Sequence, residues 1–278
     1  MNSRMKKRRM LQTLGVNALA WVLSLILITP LALILVNSFK DSVAASDMNL
    51  ALTADPQWSN YAVVFQKGKL GVTFLNSLLY SAGSVLLCTL LSSMAAYVMS
   101  RNGRRLHRAL YLFIVLGIAM PINFVTLMQV MKFVRLMNTR TGIVLLYTAT
   151  QIPFNVFLVH SFVGKIPEEI DEAAIIDGAT PLGLYFRVVL PLLKPVLVTV
   201  MVLTFLNTWN EFVMPLYFLG NSNKWPMTLA VYNFFGMYFK DWNLVCADIV
   251  LTSAPVILVY LLGQKYIVAG MTAGAVKG

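Results

Sequence analysis

Charge is scarce in this chain. Only 12% of its 278 residues are Asp, Glu, Lys or Arg, and eleven of them are acidic. Soluble domains carry roughly twice that charged share, so an ordinary water-facing surface is excluded. Cysteine is nearly absent. Cys88 and Cys246 form no metal or redox spacing, and both are expected to be buried free thiols. His107 lies in a basic loop and His160 in an apolar run, which does not define a metal site. The phosphate loop Gly-x-x-x-x-Gly-Lys-Ser/Thr is missing, so ATP hydrolysis by this chain alone is not expected. No constellation of serine, histidine and an acid marks a membrane-embedded enzyme. The net charge of +11 does not point to nucleic acid, because the basic residues flank apolar segments instead of clustering on a folded face.

Apolar residues are what the chain has, at 58%. Crossing a bilayer takes about 20 helical residues. Six runs meet or approach that length: 14–37, 72–100, 110–131, 142–163, 196–219 and 247–262. The expected fold class is therefore an all-α integral membrane protein with six transmembrane helices, and 1–278 as a single transmembrane domain. A cleaved signal peptide would need an apolar region of about 7–15 residues and a small-residue cleavage site. The run 14–37 is longer and Ser42-Val43-Ala44 matches such a site weakly, so an uncleaved first span is expected.

Basic residues set the orientation. With six spans, one side of the membrane holds the N-terminus (1–13), the loop from Arg101 to Arg108, the stretch 165–195 and the tail (264–278). That side carries fourteen of the twenty-two basic residues: Arg4, Lys6, Lys7, Arg8, Arg9, Arg101, Arg104, Arg105, Arg108, Lys165, Arg187, Lys194, Lys265 and Lys277. The positive-inside rule makes it cytoplasmic, with both termini inside a multi-pass cell-membrane protein. Gly270 and Gly274 follow the last span, so they read as part of a flexible or docking tail and not as a dimerisation face.

The spans are more than anchors. Pro30, Pro121, Pro153, Pro215 and Pro255 lie within or near the ends of five of them. Polar residues recur at helical spacing: Asn76, Tyr80 and Ser84; Gln151 and Asn155; Asp248 and Thr252; Asn207 and Glu211, with Asn210 beside them. Such stripes face a protein interior or a wet path. Interhelical hydrogen bonding accounts for any one of them. Together with the prolines they favour a translocation path through Asn76, Gln151, Asn155, Asn207, Asn210 and Glu211. Glu211, the one acid in the apolar body of a span, is either functional or a partner for nearby backbone. An ion-coupled secondary transporter using Glu211 and Asp248 is the alternative from another class.

One hydrophilic stretch stands apart. Residues 165–195 read KIPEEIDEAAIIDGATPLGLYFRVVLPLLKP and hold five of the eleven acids: Glu168, Glu169, Asp171, Glu172 and Asp177. Pro167 suits the first position of a helix, with Glu168 and Glu169 in its favoured acidic first turn. Gly178 breaks that helix. Thr180-Pro181 reads as an N-cap and first-turn proline of a second. Pro191 and Pro195 close the segment.

Glu172-Ala173-Ala174, Gly178 and Val188-x-Leu190-Pro191 together resemble the cytoplasmic EAA motif of binding-protein-dependent ABC importer permeases. The spacing matches throughout, and the one departure is Val188 for the usual isoleucine. IPEEIDEAAIIDGA, WNEFVMPL from Trp209 and the tail from Gln264 are similar to the carbohydrate branch, of maltose and multiple-sugar type. The resemblance implies a type I importer permease fold whose coupling helices meet ATPase subunits through Glu168, Glu169, Glu172, Ala173, Ala174, Asp177, Gly178, Leu190 and Pro191. It implies a second homologous permease, two ATPase subunits that bind ATP and Mg, and an external solute-binding protein delivering sugar. The outer loop 220–245 is implied to reach that binding protein, and the tail to contact the ATPases. No cofactor is expected in this chain. An ABC permease for a non-sugar solute is a second alternative.

Overall fold

The computed structural model describes residues 3–234 and 241–275, with side chains over 12–234 and 241–266. The basic side chains of residues 4–9, Lys277, the last three residues of the tail and part of the outer loop (235–240) lie outside the described residues. The described elements are helical throughout. The chain divides into two compact units: residues up to Leu70 with Val231–Leu251, and Gly71–Ala230 with the residues from Thr252 onward.

The first unit contains α1 (Ser3–Asn37), α2 (Ser42–Ser46) and α3 (Ser59–Lys67). Its polar connection is fastened from within. Lys40 is buried, and its ammonium donates to Asn37 Oδ1 (3.0 Å), Asn49 O (2.8 Å) and Asn49 Oδ1 (2.8 Å). All three of its protons are thereby used, which is what makes a buried cation tolerable.

The second unit contains α4 (Leu70–Arg101, from Gly71), α5 (Arg105–Leu116), α6 (Phe124–Phe133), α7 (Arg140–Val163), α8 (Glu169–Ile176) and α9 (Pro181–Leu184). A π-helical turn (Tyr185–Val189), α10 (Leu190–Leu192), α11 (Lys194–Trp209), α12 (Val213–Phe218) and α13 (Met227–Ala230) follow. The last helix, α14 (Trp242–Ala275), supplies residues to both units. One core cluster joins Ala96, Val156, Val159, Leu184, Tyr185, Val189 and Leu193. Another, toward the opposite end of α4, joins Tyr80, Ile143, Tyr147, Met214 and Phe218.

Among the described residues, four helices are long and apolar enough to cross a membrane as single rods: Gln12–Asn37, Leu70–Arg101, Arg140–Val163 and Trp242–Tyr266. The bent pair Pro181–Leu192 and Lys194–Trp209, turned by 78°, makes a fifth if it is one span. Two of the six expected runs are built from two helices each. The third is α5 plus α6, of 12 and 10 residues. Pro121 lies in the break, where its ring disfavours helix at Met120 and removes a backbone donor. The fifth run is α11, of 16 residues, then α12. A 16-residue helix rises about 24 Å, short of the roughly 30 Å core. Pro215 cannot donate to the Glu211 carbonyl. The Thr228 hydroxyl does so at 3.0 Å, so the broken ladder is repaired by a neighbour. The tail expected to be flexible or docking continues α14 as helix through Ala275.

Candidate functional site

The acid-rich stretch folds as two short helices at an angle, as its residues require. α8 starts at Glu169 with Glu168 at its cap, so Pro167 precedes the helix instead of opening it. The helix stops at Gly178, whose φ of +82° suits a residue without a side chain. A Cβ there would meet nothing within 4 Å, so the motif glycine answers a backbone need and not a packing one. Ala179 N donates to Ala174 O at 3.0 Å across this turn. Thr180 then caps α9 by accepting from Gly183 N at 3.2 Å, with Pro181 in the first turn.

The stretch does not close at Pro191. The backbone passes from α9 through a π turn, where Leu190 N bonds Tyr185 O, and bends at Leu193 before α11. Pro191 and Pro195 each withhold a backbone N–H there, which loosens the helical ladder at the bend.

The loop's faces differ. Glu168, Glu169, Glu172, Ala173, Asp177 and Gly178 are exposed, Ala174 and Leu190 are half-buried, and Pro191 is exposed. Beside the acids stand apolar side chains that a solvated loop has no reason to show: Ile176 is 85% exposed and Leu182 64%. A cleft of about 620 Å³ between α8 and α9 is lined by Ala174, Asp177, Gly178, Leu182, Phe186 and Arg187. Acids around an apolar, notched tip form a surface that a basic, grooved partner can cover.

Asp171 is the exception among the five acids, and its separate role was not visible in the sequence. It is buried, and its Oδ2 accepts from Arg101 Nε at 2.8 Å and from the Tyr97 hydroxyl at 3.0 Å. Arg101 Nη1 also donates to Ile166 O at 3.0 Å. The pair is nearly sealed, with side chains 13% and 11% exposed. Seventy residues separate the partners, so no local pattern could have joined them.

The polar stripes resolve into three groups. Asn155 is buried and donates to Thr204 Oγ1 (2.8 Å) and Cys88 Sγ (2.9 Å), tying α7 to α11 and α4. Cys88 and Cys246 are both free and buried, as expected. Asn76 is also buried and donates to Asn223 O (2.9 Å) and Trp225 O (3.0 Å), while Tyr80 donates to Lys224 O (2.7 Å). Asn210 and Glu211 sit at the break between α11 and α12. Asn210 Nδ2 donates to Leu206 O (2.9 Å), and the Glu211 carboxylate accepts from Val213 N (2.8 Å) and Met214 N (3.0 Å). Glu211 thus partners nearby backbone at the start of α12. Gln151 and Asn207 come together in an open space. Asn207 Nδ2 donates to Gln151 Oε1 at 3.1 Å in a cavity of about 780 Å³ that Asn123, Thr126 and Thr150 also line.

Long apolar helices, polar groups between them and a short exposed helical loop define a membrane-embedded transport subunit. Residues 88–273 match the family described as binding-protein-dependent transport system inner membrane component, and the chain belongs to that family. It is 33% identical over 257 residues to a probable starch degradation products transport system permease protein of Thermoanaerobacterium thermosulfurigenes, covering 92% of this chain and 94% of that one. It is 33% identical over 268 residues to the diacetylchitobiose uptake system permease protein of Streptomyces coelicolor, covering 94% and 88%. Its fold is that of a chain in the crystal structure of a bacterial ABC transporter involved in import of the acidic polysaccharide alginate. The TM-score there is 0.83 at 23% identity, over 96% of this chain and 99% of that one. The chain is thus a permease subunit, and a multi-pass membrane protein.

Proposed function

We propose that this chain is a translocating permease of an ATP-driven sugar importer. Two ATPase subunits dock on α8 and α9, a second similar permease completes the pathway, and an external binding protein supplies the sugar. The observation that carries this reading is the loop at 165–195, whose exposed acids and apolar tip form a partner-ready surface on a family member. The sugar class follows the relatives, which are named for starch degradation products and diacetylchitobiose. The charge count of fourteen of twenty-two basic residues supports placing this loop, with both termini, in the cytosol. ATP and Mg then belong to the ATPase subunits, and this chain contributes motion and passage. The pathway polarity that favours a hydroxylated solute is strongest at Gln151 and Asn207. The Glu211 carboxylate, one of the two acids on which the ion-coupled alternative rests, is engaged with the backbone at the start of α12.

The test is Glu172→Lys, which reverses charge on the exposed face of α8. The variant is expected to insert normally but to lose ATP-driven uptake and ATPase co-purification from membranes. Wild-type values for both would overturn the docking assignment.

A further inference from the structure

We infer that α4 is the span into which the loop's movement is delivered, and that Ser93, Tyr97 and Arg101 are the positioning residues that grip the loop. This rests on the docking of ATPase subunits proposed above. The three residues fall at steps of four, which places them on one face of α4 over about 12 Å of its axis. Each holds the loop, and they do not hold the same half of it. Tyr97 and Arg101 converge on Asp171 Oδ2 in α8, at 3.0 and 2.8 Å. Ser93 Oγ and the Tyr185 hydroxyl, both buried, lie 2.6 Å apart at the π turn beyond α9. The Tyr97 and Tyr185 rings, with centroids 5.9 Å apart, join the two attachments. Ala96 and Met99 of α4 pack in one core with Leu184 and Val189.

A loop held at one point can pivot about it. Held at two separated points by one helix, it passes on rotation as well as thrust. The covalent route onward into α11 is a poorer conduit. α11 leaves the loop through a 78° bend, flanked by two prolines that each remove a backbone donor. A push along α9 therefore turns at Leu193 instead of running down α11, whereas α4 is an unbroken rod from Leu70 to Arg101.

The experiment uses the whole transporter, with its partner permease, ATPase subunits and binding protein, reconstituted in proteoliposomes. Uptake and ATP hydrolysis are measured in the same vesicles, and ATPase stoichiometry is measured on the purified complex. Arg101→Ala is expected to keep the ATPase subunits bound while sugar imported per ATP hydrolysed falls about tenfold, because removing the guanidinium strands a nearly buried carboxylate and frees α8 from α4. The double variant Tyr97→Phe with Tyr185→Phe keeps both rings, removes both hydroxyls, and is expected to lower that ratio about threefold. A merely structural role would lower the amount of complex and leave the ratio unchanged. Wild-type ratios in both variants overturn the inference. So does loss of the ATPase subunits from Arg101→Ala, because the grip would then only shape the docking surface. If Arg101→Ala is not inserted, the double tyrosine variant decides. Failure of the docking assignment itself shows separately, as normal ATPase co-purification with Glu172→Lys.

Discussion

The two ends of α4 are fastened in opposite ways. At Arg101 the helix is held by charge: a guanidinium shared between a buried carboxylate and a backbone carbonyl. Toward the other end, Asn76 and Tyr80 donate to backbone carbonyls of residues 223–225. A neutral amide can shape a loop at modest cost in desolvation. A sealed ion pair is costly to assemble and costlier to break, because removing one partner strands the other. The strong fastening stands at the loop proposed to take up force. The weaker one stands at residues 223–225, between α12 and α13.

Replacing Asp171 by Ala should be the most damaging change. It leaves Arg101 without its carboxylate, and the loss should be about 3–5 kcal/mol. Glu168 lies 3.9 Å from Arg101 but its side chain is 71% exposed, so it compensates little. A clear fall in the unfolding midpoint of the purified complex is expected, and a midpoint within error of wild type would show that the pair is not a strong fastening. Asn76→Ala removes one donor from two carbonyls, with an expected loss of about 1–3 kcal/mol. The same unfolding measurement ranks the two, and an equal or larger loss at Asn76 would erase the contrast between the ends.

How much of this could be read in one dimension depends on range. The capped start of α9, the break at Gly178 and the locations of the apolar runs were legible, because caps, a left-handed turn and hydropathy are local properties. The division of the third and fifth runs was signalled by Pro121 and Pro215, but their consequence depends on which neighbour repairs the backbone. Thr228 does so for Glu211 from seventeen residues away. The five acids of the loop look alike in sequence. Only the fold shows that Asp171 turns inward while Glu169 and Glu172 stay outside. The polar stripes were legible as stripes. Which residues line space and which bind helices together depended on the neighbours each face meets, and Asn76 and Asn155 meet protein.

The smallest effect on stability is expected at Asn207, and that makes it informative. Its bond to Gln151 is exposed, so net stabilisation should be at the low end of about 0.5–1.5 kcal/mol. Asn207→Ala should therefore barely move the unfolding midpoint. The two amides line a cavity of about 780 Å³ together with the polar side chains of Asn123, Thr126 and Thr150. A hydroxylated solute passing through it would exchange hydrogen bonds with water for bonds to these side chains. Losing one should raise the KM for uptake roughly threefold, in keeping with one modest hydrogen bond. A raised KM with an unmoved midpoint separates Asn207 from Asn76, whose bonds are spent on holding the loop. An unchanged KM would place Asn207 with Asn76 and Asn155, as a residue that binds helices together and touches no solute.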